Sequence, residues 1–175
     1  MAGDLRALLL KPTAQSPGAT ALPTVPLSAD SGLSLLPLTD ETMANVMSAG
    51  PEDSCVDGFY ELRTGVAEWA RRRFHFGDVA YVHMEFFGGH GFHAAMAWRA
   101  GSVAWGPSFT ETTAGEAEPH YTVTPAIRDM AINALLRWWG IQPTGQDDEF
   151  AAAGVDRHRS TKAWSRSCGP RPLDR

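Results

Sequence analysis

Three histidines and a glutamate crowd the middle of the chain, in the run Val82-His-Met-Glu-Phe-Phe-Gly-Gly-His-Gly-Phe-His93. Imidazole and carboxylate are ligand types that zinc and non-haem iron accept. On a strand His83 and Glu85 share a face, because side chains alternate. Whether His93 joins them depends on the turn. A two-residue Gly89-His90 loop sets His93 opposite Phe86, on the other face. A three-residue Gly88-Gly89-His90 loop slips the pairing by one, sets His93 opposite Glu85, and makes His83, Glu85 and His93 converge. One residue of register creates or destroys the metal set. His90, at the tip, lies away from that face in either case.

The same residues have plainer uses. Glu85 sits among Tyr81, Phe87 and Trp98, where a buried carboxylate is costly without a partner. Arg99 or the backbone N–H groups of the glycine turn are its candidate partners. Burial would raise its pKa toward that of a general base. A binding or structural carboxylate is the simpler expectation. Gly88, Gly89 and Gly91 lie between two strands with no helix after them, so they are turn residues and not a phosphate loop. No Gly-x-Ser-x-Gly elbow, Walker-type loop or Cys-x-x-Cys pair occurs. Cys55 and Cys168 have no histidine nearby and read as reduced thiols.

The elements that must hold these residues come next. Val79–Phe87, Phe92–Trp98 and Ser102–Trp105 alternate and are β-rich, separated by glycine turns, which predicts a three-stranded antiparallel meander over 79–106. Small Ala94, Ala95 and Ala97 predict a helix lying close across one face. Leu62, Val66, Trp69 and Ala70 predict a helix over about 61–74, with Arg71, Arg72 and Arg73 in its last turn. Thr124 as N-cap, Pro125 at the first helical position and Gly140 past the end predict a second, over about 124–139. A short helix after Thr39-Asp40, stopped at Gly50-Pro51, and another from Asp147 to Ala153 complete the set. Residues 109–120 read as an acidic loop, and 121–123 as a short fourth strand.

Residues 1–31 read as a mobile leader rich in Pro, Ser and Ala, 32–166 as one domain, and 167–175 as a tail. The opening residues lack the positive start and long apolar core of a signal peptide, so the expected location is cytoplasmic. With 175 residues, 43% of them hydrophobic and 20% charged, the chain has globular composition. No apolar run approaches the ~18 residues of a membrane span. A net charge of −5 argues against a general nucleic-acid binder. A local alternative is the basic stretch Arg157, His158, Arg159, Lys162 and Arg166 around Trp164, a mix that could touch nucleic acid.

The run Ala80–Trp98, with Asp148-Glu-Phe150 and Gly154-Val-Asp-Arg-His-Arg159, resembles small bacterial α+β proteins of the immunity-protein type. That resemblance implies a protein that neutralises a partner toxin by binding it, and it assigns no catalytic residues. The fold expected is α+β: an antiparallel sheet of three to five strands packed by two main helices. The function expected is a non-enzymatic protein-binding module that needs no cofactor. Glu85, His90, Asp147, Asp148 and Glu149 would meet a partner protein, such as a basic toxin. The alternatives are a zinc- or iron-dependent enzyme on His83, Glu85 and His93, and a nucleic-acid-associated regulator.

Overall fold

The computed structural model describes residues 3–12, 22–46, 54–113 and 119–168. Seven strands form one sheet: β1 (Gly3–Lys11), β2 (Val25–Pro26), β3 (Ser34–Pro37), β4 (Asp78–Phe87), β5 (His90–Arg99), β6 (Ser102–Glu111) and β7 (Thr122–Val123). Their order is β2-β3-β1-β4-β5-β6-β7. All pairs are antiparallel except β6 with β7, so the sheet is mixed. Among the described residues five α-helices flank it: α1 (Asp40–Val46), α2 (Thr64–Arg73), α3 (Ala131–Trp138), α4 (Glu149–Ala153) and α5 (Thr161–Ser167). The class is α+β. The expected sheet of three to five strands under two main helices is corrected to a seven-stranded mixed sheet with five helices.

The largest correction concerns the start of the chain. Gly3–Lys11, expected in a mobile leader, is a central strand between β3 and β4. Leu5, Ala7 and Leu9 face one core, and Leu8 and Leu10 the other. A strand buried on both faces shows a continuous apolar run in place of alternation. The four residues Ala7–Leu10 are that run. The rest of the expected leader includes β2, while residues 13–21 lie outside the described residues, as does the helix stop at Gly50-Pro51.

The sheet separates two cores. On one face Val66 and Ala70 of α2 pack with Tyr81, Met96 and Trp98. On the other, Ile132, Leu135 and Leu136 of α3, Ala153 and Trp164 pack on Val82, Ala95 and Ala97. Each large side chain so buried contributes ~1.5–3 kcal/mol. Ala95 and Ala97 of β5 let α3 come close, while Ala94, expected on the same face, lies in the opposite core. Helix α2 starts at Thr64, not 61, because Arg63 is extended, bridges to Cys55 and is followed by Thr64 N–H bonding the Ser54 carbonyl. Helix α3 starts at Ala131, not 124. Thr124 N–H bonds the Glu111 carbonyl and Met130 is extended, so a single 3-10 turn at Ile127–Asp129 precedes the helix. The cap comes from another element: Thr110 Oγ1 accepts from Ala131 N–H at 2.8 Å. Thr110 and Glu111, expected in an acidic surface loop, are buried at the end of β6.

Candidate metal centre

Strands β4 and β5 are joined by Gly88-Gly89, both with positive φ. Phe87 pairs with His90, Glu85 with Phe92, and Met84 with His93. Neither expected loop is the real one. The observed turn places His93 on the face opposite His83 and Glu85, so that three-ligand set does not form. The turn shifted because two consecutive glycines supply the left-handed residues that a two-residue hairpin needs.

The third ligand comes from β1. Asp4 is directly opposite Glu85, and Arg6 opposite His83, so all four side chains share one face. Ligand atoms of Asp4, His83 and Glu85 lie within 4.8 Å of one another. His83 Nε2 is 3.2 Å from Glu85 Oε1. Arg6 bonds Glu61 at 3.2 Å and lies 3.9 Å from the Asp4 carboxylate. Within this cluster three carboxylates face one guanidinium, which leaves two negative charges uncompensated. The expectation of a protein without a cofactor is corrected here, because an Asp/His/Glu set is in place to coordinate a cation.

The electrostatics suit that role. His83 is only 1% exposed. Burial, and then the charge of Arg6, pull its pKa down to about 4. It is therefore neutral at ordinary pH, the form a metal requires. Glu85 is half exposed, and its pKa is raised by burial and then by the charges of Asp4 and Glu61, with Arg6 opposing. Relieving that repulsion favours a cation. Beside the cluster stands an aromatic wall: the Phe92 ring meets His83 edge-on at 5.0 Å, and Tyr60 and Tyr121 stack behind it. A cleft of about 280 Å³ opens past Asp4 and Arg6, lined also by Thr39, Asp40 and Lys162.

Asp4 is the residue that the sequence reading missed. Its only local signal is an acid two residues before Arg6, at the head of an apolar run. The strand pairing that brings it to Glu85 is long-range.

The other expected site residues are elsewhere. His90 is exposed beside the hairpin turn, its Nδ1 within hydrogen-bonding distance of Thr113 Oγ1. Asp148 caps α4, accepting from Ala151 N–H. Glu149 is 3% exposed and bonds Arg137 at 2.7 Å. Of the acidic segment, Asp147 is exposed while the other two carboxylates serve the protein's own fold. Arg99 pairs with Asp78, not Glu85. In the basic stretch, the exposed Arg157 lies over the fully buried Trp164 and bonds the carbonyls of Gly154 and Pro26, so the tryptophan is taken up by the core and the guanidinium by the protein's own backbone. Cys55 and Cys168 are free thiols. No helix of the described residues is long and apolar enough to cross a membrane. No protein-family model, curated protein or solved structure matches the chain.

Proposed function

We propose that the protein is a metal-dependent enzyme that binds one divalent cation on Asp4, His83 and Glu85. The observation behind this reading is the convergence of the three ligand atoms within 4.8 Å on one sheet face, around a buried, neutral imidazole. A mixed nitrogen and oxygen donor set suits zinc or ferrous iron. Three protein ligands leave positions open for water and substrate, and a cation held that way acidifies a bound water for hydrolysis. Arg6 steadies the carboxylates through Glu61, and the adjoining cleft, with Arg6, Lys162 and Thr39 on its walls, favours a polar substrate.

Elemental analysis of untagged protein, followed by zinc titration of the metal-free chain, tests the reading. About one metal per chain is expected, with affinity lost in His83→Ala and in Asp4→Asn. Stoichiometric binding that ignores both substitutions, or no binding at all, would overturn it.

A different observation favours a second reading, a protein-binding module of the immunity-protein type. Phe87 is 79% exposed at the hairpin turn, with Phe86 partly exposed beside it. Exposed aromatic anchors of this kind are what protein interfaces bury. Capture of a basic nuclease by the full chain, abolished by Phe87→Ser with the fold unchanged, is the expected result; capture that survives the substitution would refute it.

A further inference from the structure

On the sheet face away from Asp4, His83 and Glu85, a cavity of about 350 Å³ lies between β5, α3 and α4. That volume falls in the range of small-molecule sites. Its walls are largely apolar, with Met84, Phe86, Met130 and Phe150 contributing thioether and aromatic surface. His93 lines it as well. This imidazole is 8% exposed, and its Nδ1 is buried with no hydrogen-bond partner. Its ring stacks with that of Phe150 at 6.2 Å, 28° from parallel.

The cavity is held open by design of the surrounding polar contacts. Asn133, fully buried on α3, donates to the Ile127 carbonyl at 2.9 Å and to Asp148 at 3.3 Å. Its side-chain carbonyl accepts from Phe150 N–H at 2.7 Å. One side chain thus ties the 3-10 turn, α3 and the start of α4 around the space, with both of its N–H donors used and its carbonyl engaged by Phe150. The Asp148 carboxylate is likewise taken up by capping. Of the described side chains lining the cavity, His93 is the one with a buried polar atom that has no hydrogen-bond partner.

We propose that this cavity is a binding site for a small, uncharged aromatic molecule bearing a hydroxyl group, a phenol in chemical class, with its hydroxyl bonded to His93. The methionine and phenylalanine walls recognise a flat ring through sulfur–aromatic and ring contacts. The hydroxyl both donates and accepts, so it can pair with a ring nitrogen of His93 that faces the cavity in either tautomer. Beside the buried, neutral imidazole an ionised group would find no counter-charge, since the charged lining residues Asp156 and Arg159 are exposed to solvent. Burial, and then the nearby His83, hold the His93 pKa down to about 3, which keeps the ring neutral. The site shares no lining residue with the proposed metal centre, so each stands or falls alone.

The test is calorimetric titration of the full chain with phenol and with toluene, and with phenol again for His93→Leu. Phenol is expected to bind one per chain, about tenfold tighter than toluene, the worth of one hydrogen bond to a buried group. His93→Leu should bind both alike. Nitrogen-15 spectra of the wild-type imidazole should shift on adding phenol and not toluene, a readout that survives if the variant fails to fold. As a second variant, Ile127→Trp, at an exposed lining position, should block entry of both ligands. Equal affinity for phenol and toluene, an unmoved His93 signal, or no binding of phenol would overturn the proposal.

Discussion

His83 and His93 stand on neighbouring strands, one residue out of step, and so project to opposite faces of the same sheet. His83 is cross-strand partner to Ala94, and His93 to Met84. Both are buried and both are neutral, yet one faces the acidic cluster and the other an apolar cavity. The strands thus separate two imidazoles that the sequence places ten positions apart.

Their burial fixes a pH response. Both imidazoles have folded pKa values below the ordinary 6.5, at about 4 for His83 and about 3 for His93. The unfolded chain therefore binds protons first as pH falls. Stability should be constant above pH 6.5 from this source and drop below it, by about 1.4 kcal/mol per pH unit for each imidazole down to pH 4. Urea denaturation of metal-free protein between pH 7.5 and 4.5 checks this. His93→Leu should flatten the slope by about half.

Metal affinity should respond to charge as well as to ligation. Glu85→Gln keeps the shape of the cluster but removes one of its negative charges, and should weaken zinc binding on the order of a hundredfold. Glu61→Gln frees Arg6 from its partner without removing a ligand. It should weaken binding by less, about tenfold. Competition titration against a zinc chelator ranks the two.

Two glycines with the same backbone requirement should behave differently. Gly58 and Gly88 both have positive φ, +82° and +61°. A Cβ on Gly88 meets nothing within 4 Å, whereas one on Gly58 would sit 2.7 Å from the Phe109 ring. Gly88→Ala should cost about 1 kcal/mol through the backbone alone. Gly58→Ala should cost about 2–4 kcal/mol, since the Phe59–Phe109–Tyr121 ring cluster must also shift. Thermal melts of the two variants give the comparison.

The buried end of the Arg137–Glu149 pair makes a further test. Burial raises the Glu149 pKa, but the hydrogen bond and charge of Arg137 outweigh it and hold the carboxylate below its ordinary range. Arg137→Met strands that carboxylate. It should destabilise the protein by about 1–3 kcal/mol, discounted because the arginine is itself partly exposed. Adding Glu149→Leu should recover most of the loss, as measured by urea denaturation.

What could be read from the residues was local. The strands β4, β5 and β6 carry alternating patterns and glycine turns, and their presence in the centre of the chain was legible. The helical stripe Ala131–Trp138 was legible too, though its start was not. Pro125 and Thr124 mimic a helix entry, while the real cap, Thr110, lies on another strand. Asp4 was invisible as a ligand for the same reason: nothing near it in the chain reveals that Glu85 is its neighbour. The hairpin turn was misplaced by one residue because Gly88, Gly89 and Gly91 all permit left-handed backbone. Glu149 looked like a surface acid because Asp147 and Asp148 precede it, and only tertiary packing shows it turned inward to Arg137.

Strand β1 sits between β3 and β4, and its N-terminal end is clasped by a segment some 155 residues further along the chain: Asp4 N–H bonds the Arg159 carbonyl, and Arg6 N–H bonds Thr161 Oγ1. During synthesis this strand emerges before both of its partners and has only the short β3 to pair with until β4 follows. Its clasp arrives later still. An apolar ribbon with one open edge must therefore wait while its partners are made, and the sheet closes late, around a segment synthesised well before them. Folding of this chain is governed by long-range contacts and should be slow for its size.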